Sequence, residues 1–233
     1  MRGALLAVAR DLRYAVIDAV FLVGWHDAGR RTRSSRTRHR IRHPDQPVLM
    51  LPGVLESPRF LDPLAAVLRS SGRPVHTVPA LRCNGARVAA TALLVLDYLE
   101  RERLTDVTIV AHSKGGLVGK QLMVWPESAH RIRSMLAIAT PFAGSRYARR
   151  APTKMLRDFS PADATLLELS ANQEANARIL SVAAAVDPQI PDGSVLPGAR
   201  NITLPIGGHF RPLGDRRMHL IALRFLRDDR APR

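Results

Sequence analysis

The stretch Val107-Thr-Ile-Val-Ala-His-Ser-Lys-Gly-Gly-Leu-Val118 decides the fold. Its first four residues, 107–110, form an apolar run that predicts a short buried strand, and the apolar residues after the two glycines predict a helix. Between them stands Ser113, with the small residues Ala111 and Gly115 two positions to either side. Small side chains there let a strand turn sharply into a helix that packs closely against it. The pattern therefore predicts a tight strand-to-helix turn with a serine at its apex.

Outward from this turn, short apolar runs alternate with helical patterns from residue 47 onward. This alternation is typical of an α/β domain with a mostly parallel sheet and helices on both faces. Strands are predicted at 48–51, 75–78, 107–110, 135–138, 179–184 and 201–204. Flanking helices are predicted from Ser57 to Gly72, with Pro58 in the first turn, from about 86 to 103, and from about 215 to 226.

The length and composition of the chain are typical of one domain with an appendage. The chain has 233 residues, of which 46% are hydrophobic, and it has a net charge of +15. A strongly basic surface favours anionic partners such as phospholipid head groups, nucleic acid or acidic substrates, but it is equally typical of a merely solvated surface. The single cysteine, Cys83, leaves no intrachain disulfide and is expected to be buried or half-buried.

The N-terminal residues 1–28 predict an amphipathic helix. An apolar stripe recurs at spacings of three and four, with charged residues such as Asp18 mainly on the other side. The stripe consists of Leu5, Val8, Leu12, Val16, Ala19 and Val23. We expect this stripe to pack on the protein body or a second subunit, with a membrane interface as the alternative. The longest apolar run, 19–24, is short for a membrane span and no secretory leader pattern is present, which predicts a cytoplasmic or peripherally membrane-associated protein.

Residues 29–46 predict an extended basic linker, because seven arginines lie between positions 30 and 42 without apolar periodicity. No aromatic residue is interleaved to stack on bases, so nucleic-acid binding is not expected. Contact with an anionic membrane is the alternative interpretation, since basic residues near such a surface are attracted to it.

A serine nucleophile needs a base, and the base needs an orienting carboxylate. Asp187 follows the apolar run 179–186, and His209 follows the last strand in Ile206-Gly-Gly-His-Phe210, where the glycines suggest a loop flexible enough to swing the imidazole. Carboxyl ends of parallel strands share one edge of the sheet, where ligand sites form. The sequence thus predicts a triad of Ser113, His209 and Asp187. The alternative interpretation is that Ser113 is only the N-cap residue of the helix that follows it.

Other residues could take these roles. Asp192, in a Pro-Asp-Gly turn, and Asp215 are alternatives to Asp187 as the acid. His219 falls inside the last predicted helix and His76 inside a strand, and both are expected to be structural. His112 precedes the serine, but its side chain should point away from the nucleophile at a tight turn.

Two backbone amides are candidates for an oxyanion hole, which stabilises the charge that develops on an attacked carbonyl. One is the N–H of Lys114, directly after the serine. The other is the N–H of Val54, after Gly53 in the loop that follows the first strand, although Pro52-Gly53 is also explained by a simple turn. The Lys114 side chain is expected to add positive potential at the mouth of the site.

From Val48 to Leu226, about three quarters of the chain, the sequence resembles bacterial lipases and esterases of the α/β-hydrolase superfamily. The motifs that carry the resemblance are Leu-Pro-Gly-Val at 51–54, Ala-His-Ser-Lys-Gly-Gly at 111–116, Ala-Thr-Pro-Phe-Ala-Gly-Ser at 139–145, Val-Asp-Pro-Gln-Ile-Pro at 186–191 and Gly-Gly-His at 207–209. The resemblance implies ester hydrolysis, with lipid esters as the leading substrate, by the same triad and the same two amides. Ala111 stands where glycine is usual, and Pro52 and Phe142 where many relatives have histidine, which bears on substrate preference.

The hydrolase domain is predicted to span 47–230, with a helical cap at about 145–177 over the site. Five basic cap residues would form a rim: Arg146, Arg149, Arg150, Lys154 and Arg157. No metal or organic cofactor is implied. An acyltransferase or thioesterase with the same triad is the alternative enzyme, and a non-catalytic scaffold that binds membrane or nucleic acid through its basic arm is the alternative outside enzymes.

Overall fold

The computed structural model describes residues 2–34, 41–150 and 154–229. At its centre lies a six-stranded sheet in which every neighbouring pair of strands is parallel, in the order β2-β1-β3-β4-β5-β6. The strands are β1 Val48–Leu51, β2 Val75–Thr77, β3 Val107–His112, β4 Ile132–Ile138, β5 Ile179–Val186 and β6 Arg200–Gly207. All six predicted strands are confirmed, and four of them, β3 to β6, are longer than predicted.

Helices cover both faces of the sheet. They are α1 Arg2–Ser34, α2 Asp62–Arg69, α3 Val88–Arg101, α4 Lys114–Val124, α5 Pro126–Ala129, α6 Lys154–Arg157, α7 Ala164–Ala171 and α8 Arg216–Asp228. The prediction that α2 begins at Ser57 is wrong. Residues 57–61 form turns, with the Phe60 N–H donating to the Ser57 carbonyl, and Pro63 rather than Pro58 occupies the first helical turn.

Successive residues of each strand contribute to opposite layers of the core. In β1, Leu49 and Leu51 pack with α3, α4 and α7, whereas Val48 and Met50 pack with α1, α2 and α8. A strand buried on both sides has no polar face to show, which explains the unbroken apolar runs in the sequence. The carboxyl ends of the parallel strands meet at one edge, where Ser113, Asp187 and His209 follow β3, β5 and β6.

The N-terminal helix differs from its prediction in length. Helix α1 continues to Ser34, so it includes the first six residues of the predicted basic linker, whereas residues 35–40 of that linker lie outside the described residues. None of the helices in the described part of the chain combines the length and hydrophobicity needed to cross a membrane.

The prediction of which side of α1 packs on the body is also wrong. Leu12, Val16, Val20 and Val23, which share the predicted stripe's side of the helix, are 56–73% exposed. Asp18, predicted on the solvent side, is only 3% exposed. The side chains of Leu5 and Val8 lie outside the described part.

The buried side of α1 owes its position to aromatic residues that the stripe did not include. Trp25 is buried, stacks on Phe21 and donates its indole N–H to the Phe60 carbonyl at 2.8 Å. Aromatic side chains bury more apolar area than the valines and the leucine opposite them. The helix therefore has two apolar faces, and the aromatic one contacts the body.

The predicted cap contains short helical elements, as expected. The described part of the segment contains a 3-10 turn at Arg146–Arg150, then α6 and α7, and a second 3-10 turn at Asn176–Arg178. Of the predicted basic rim, Arg146, Arg149 and Arg157 are exposed, and the side chains of Arg150 and Lys154 lie outside the described residues.

Cys83 is exposed, so the prediction of a buried thiol is wrong. It lies in the loop between a 3-10 turn at Pro79–Leu81 and α3, and in this loop the neighbouring Asn84 is the buried residue.

Candidate active site

Ser113 occupies the predicted sharp turn between β3 and α4. Its backbone has φ 50° and ψ −122°, a left-handed conformation that residues with a side chain rarely adopt. The Ser113 N–H donates to the Ile138 carbonyl of β4 at 2.8 Å, which ties the turn to the neighbouring strand. Strain of this kind persists only when the surrounding structure fixes it.

Gly115 explains why the turn needs small residues. A β-carbon at this position would lie 2.9 Å from the Pro52 carbonyl oxygen and would overlap the Leu51 carbonyl. Ala111 on the strand side is fully buried. Helix α4 therefore approaches the end of β1 so closely that no side chain fits between them.

Asp187 and His209 are brought together as predicted. The His209 Nδ1 lies 2.7 Å from Asp187 Oδ2, and both side chains are buried. The other carboxylate oxygen accepts the backbone N–H groups of Gln189 and Ile190 at 2.8 and 3.0 Å. The carboxylate is thus held in one orientation, with one oxygen directed at the imidazole.

This pairing shifts the pKa of both groups. For Asp187, burial alone would raise the pKa, but attraction to His209 and the three hydrogen bonds outweigh burial and hold the pKa below its usual value. For His209, burial alone would lower the pKa, but the Asp187 carboxylate raises it above the usual value, with smaller contributions from Glu56 and Asp18. His209 therefore binds a proton more readily than a free imidazole does.

Ser113 and His209 line the same cavity, which has a volume of ≈ 480 Å³. Its remaining walls are mostly apolar and come partly from the cap. They include Val54, Pro141, Tyr147, Leu156, Phe159 and Ile190. The cavity therefore joins the candidate nucleophile and base to a space that suits an apolar group.

The two predicted oxyanion amides, the N–H groups of Val54 and Lys114, donate no hydrogen bond to another described residue. The prediction that the Lys114 side chain adds positive potential at the mouth of the site is wrong, because this side chain is buried and points away from the mouth. Its ammonium donates to both oxygens of Asn84, at 2.8 and 2.9 Å, and to the Ala86 carbonyl. Burial lowers its pKa to about 8. Lys114 anchors the loop before α3.

The alternative residues have other partners. Asp192 is bound by Arg146 on the surface, and Asp215 caps α8 by accepting the Arg217 N–H. His76 lies beside the Tyr98 hydroxyl, and His219 beside the Leu213 carbonyl. Among the residues that the structure describes, no group of three or more His, Cys, Asp or Glu could hold a metal ion.

Glu56 is a residue of the site that sequence reasoning missed. Its Oε2 accepts the Gly53 N–H at 2.5 Å, and its Oε1 lies 2.7 Å from His112 Nδ1. The His112 Nε2 in turn lies 3.3 Å from the His209 carbonyl oxygen. The buried pair of His112 and Glu56 thus links the loop after β1, the turn at Ser113 and the His209 loop.

Gly207 and Gly208 have a different role from the predicted flexibility. Both are buried, and a β-carbon on Gly207 would overlap the ring of Tyr14 in α1. Gly208 has φ +114°, and a β-carbon there would lie 2.5 Å from Asp18 Oδ1. The two glycines permit close approach of α1 rather than movement of His209. In the sequence, the Gly207-Gly208 pair is the only motif that indicates the contact between α1 and the His209 loop.

No protein-family model matches the chain, and no curated protein sequence matches it significantly. Solved structures do match. The chain has the α/β-hydrolase fold. It is similar to an extracellular α/β-hydrolase from a Paenibacillus species, with 18% identity and a TM-score of 0.55 over 80% of this chain and 100% of that chain.

The chain is also similar in structure to two lipolytic enzymes. One of the metagenome-derived enzymes LipS and LipT has 16% identity and a TM-score of 0.59, over 80% of this chain and 94% of its own. Bacillus licheniformis lipase BlEst2 has 14% identity and a TM-score of 0.58, over 80% and 95%. A haloalkane dehalogenase from Agrobacterium tumefaciens also matches, with 11% identity and a TM-score of 0.57. Since one fold carries different reactions, function must be argued from the site.

Replacing the acid tests the choice between Asp187 and Asp192. For Asp187→Asn we expect a loss of about 10⁴-fold in kcat, because the amide no longer holds the imidazole in the required tautomer. The acid limb of the pH profile should also move to lower pH, because the carboxylate that raises the His209 pKa is gone and the neutral base persists to lower pH.

Asp192→Asn is the matched control, because among the described residues Asp192 is hydrogen-bonded only to Arg146, through the guanidinium and the backbone N–H of that residue, and the change should alter kcat by no more than about threefold. Hydrolysis of a p-nitrophenyl ester, with circular dichroism to verify folding, measures both variants. A large loss in Asp192→Asn together with normal activity in Asp187→Asn would reverse the assignment.

Proposed function

We propose that the protein is a serine hydrolase that cleaves carboxylic esters, with lipid esters as the substrate class. The observation that carries the proposal is that Ser113 and His209 line one cavity while Asp187 holds the far nitrogen of His209 at 2.7 Å. A hydroxyl, a carboxylate and an imidazole in this chain order are the recurring catalytic groups of the α/β-hydrolase fold.

In the proposed reaction, the Ser113 hydroxyl oxygen attacks the ester carbonyl carbon while His209 Nε2 takes the hydroxyl proton. The imidazolium that forms is stabilised by Asp187, and the tetrahedral oxyanion accepts the N–H groups of Val54 and Lys114. His209 then gives the proton to the leaving alkoxide, which departs as the alcohol. Water, deprotonated by the same imidazole, attacks the acyl-enzyme, and the imidazolium returns the proton to the departing Ser113 oxygen as the carboxylic acid is released.

The lining of the cavity favours an apolar acyl group. Leu156 and Phe159 of the cap and Ile190 beyond Asp187 present hydrocarbon to the space beside Ser113. Contact with these side chains removes apolar surface of the substrate from water, which stabilises a bound acyl chain. Lipid esters supply such a chain.

Ser113→Ala removes the nucleophile and tests the proposal. We expect hydrolysis of p-nitrophenyl esters to fall by about 10⁶-fold, with an unchanged circular dichroism spectrum and melting temperature. Turnover retained at the wild-type rate would overturn the assignment. Because the residue is 7% exposed and replacement by alanine removes only one oxygen, the fold should tolerate the change.

The second step decides between hydrolysis and acyl transfer, because the acyl-enzyme forms in the same way in both. Ester, thioester and alcohol-acceptor assays of the wild type compare the three reactions. Release of free acid from esters in the presence of excess alcohol supports hydrolysis. Predominant formation of a new ester would make the protein an acyltransferase, and a preference for thioesters a thioesterase.

We also propose that the outer face of α1 contacts an anionic lipid surface. Leu12, Val16, Val20 and Val23 lie in one stripe and are 56–73% exposed. Asp11, which precedes the stripe, accepts the hydroxyl of Tyr147 at 3.2 Å, and Tyr147 lines the cavity. The stripe therefore begins beside the wall of the cavity, where a lipid substrate would enter.

Charge favours lipid over a second protein copy as the occupant of this face. The chain has a net charge of +15, and its seven arginines between positions 30 and 42 follow the stripe in sequence. Two copies of such a chain repel one another, whereas a bilayer with acidic head groups attracts each of them. Apolar insertion combined with basic residues is the usual basis of reversible membrane attachment.

Co-sedimentation with vesicles tests this contact. The wild type should sediment with vesicles that contain phosphatidylglycerol and much less with phosphatidylcholine alone, and high salt should weaken binding. Replacing Leu12, Val16, Val20 and Val23 together by glutamine should weaken binding by more than about tenfold, because several buried methylene groups are lost from the lipid phase.

Leu93→Gln with Leu220→Gln is the matched control, because these exposed leucines lie on α3 and α8 and should not affect binding. Binding that is indifferent to phosphatidylglycerol and to salt would contradict the proposal. A dimer in solution that the stripe variant dissociates, without vesicle binding, would assign the face to a second copy instead.

A further inference from the structure

Asp18 is a buried carboxylate that the proposed reaction does not use directly. It lies in the middle of α1 and is 3% exposed. Its Oδ2 accepts the backbone N–H of His209 at 2.6 Å, and its Oδ1 accepts that of Phe210 at 3.2 Å. One carboxylate thus binds two successive amides at the point where the chain leaves β6 and enters the next turn.

Both the His209 loop and helix α1 have features that hold Asp18 against the two amides. Gly207 and Gly208 lack side chains where Tyr14 and Asp18 approach, so the loop accepts α1 without overlap. On the helix, Trp25 is fixed by its hydrogen bond to the Phe60 carbonyl. Helix α1 is therefore seated both at the His209 loop and two turns further on, and Asp18 has little freedom to leave its amides.

With Asp18 included, His209 is held at three of its atoms by three separate elements. Asp18 from α1 binds its backbone N–H, His112 of β3 contacts its carbonyl at 3.3 Å, and Asp187 after β5 binds Nδ1 at 2.7 Å. The fourth group, Nε2, is the one that the proposed reaction uses. Because the backbone N–H and the carbonyl of His209 are both held, rotation about the side-chain bonds is the only freedom that remains to the imidazole.

We propose that Asp18 is a positioning residue for the catalytic histidine, so that the N-terminal helix is a functional part of the active site rather than an appendage. This inference rests on the proposed function of His209 as the general base. Displacement of a catalytic group by about 1 Å can lower a rate by about 10²-fold, so the anchoring of the loop matters to the reaction.

Asp18 also acts on His209 through its charge. The charged and titratable groups that face His209 are Asp187, Glu56, His112, Asp18 and Arg211, whose guanidinium donates to the Gly207 carbonyl. Burial raises the pKa of Asp18 itself, and the amides and His209 oppose that rise. When ionised, Asp18 helps to raise the His209 pKa, so removing its charge should lower that pKa.

The test is Asp18→Asn. The asparagine oxygen can accept one of the two amides, but its NH₂ group would face the other donor, so the loop must shift. We expect kcat for p-nitrophenyl ester hydrolysis to fall by about 10- to 100-fold with KM little changed. The acid limb of the pH profile should move to lower pH, because the neutral base then persists at lower pH.

Asp11→Asn is the matched control on the same helix, since Asp11 contacts Arg10 and Tyr147 but not the His209 loop. It should leave the acid limb of the pH profile where it lies in the wild type. If Asp18→Asn only lowers the melting temperature, while the folded enzyme keeps the wild-type kcat and acid limb, the role of Asp18 is structural and the inference is overturned.

An NMR titration of His209 in the same variants separates this inference from the proposed function, because it requires no substrate. The pKa of His209 should be lower in Asp18→Asn than in the wild type and in Asp11→Asn. If the wild type hydrolyses no ester but the titration shows this shift, the proposed function fails and the positioning contact stands. An unshifted His209 in Asp18→Asn would overturn the inference whether or not the wild type hydrolyses esters.

Discussion

A serine held at φ 50° between β3 and α4 is the constraint on which the rest of the site depends. The strained backbone directs Ser113 to the shared edge of the parallel strands, and it persists because the β4 carbonyl of Ile138 and the close approach of Gly115 to β1 leave no relaxed alternative. The same turn starts α4 at Lys114, so that its first N–H is free for a ligand. The proposed nucleophile and one of the two proposed oxyanion donors thus come from one local conformation.

The base, in contrast, is assembled from distant parts of the chain. His209 meets Asp187 after β5, His112 at the end of β3 and Asp18 in α1, the last across 191 positions of sequence. Each contact is buried, where an unpaired polar group is costly, so the contacts support one another. Glu56 extends the set by binding both His112 and the Gly53 amide of the loop after β1. The sheet brings the strand ends together, and these polar contacts fix the loops upon them.

The sequence predicts what depends on local pattern. Buried strands, the small residues around Ser113, and the order of Asp187 and His209 along the chain are all visible as short motifs. The burial of Asp18 and Glu56 cannot be predicted in this way, because nothing in the local sequence indicates which backbone amide a carboxylate will bind. Helix α1 shows the same limit: two apolar faces compete in its sequence, and the aromatic face with Trp25 contacts the body. Lys114 likewise turns inward because the oxygens of Asn84 satisfy its ammonium.

The most direct test of the account is to label the protein with a fluorophosphonate and to locate the adduct by mass spectrometry. A phosphonylating reagent reacts with a serine that a neighbouring base activates, whatever the natural substrate. We expect one adduct per chain, on Ser113, formed much more slowly after His209→Ala. No adduct, an adduct on another residue, or equally fast labelling of the His209→Ala variant would contradict it.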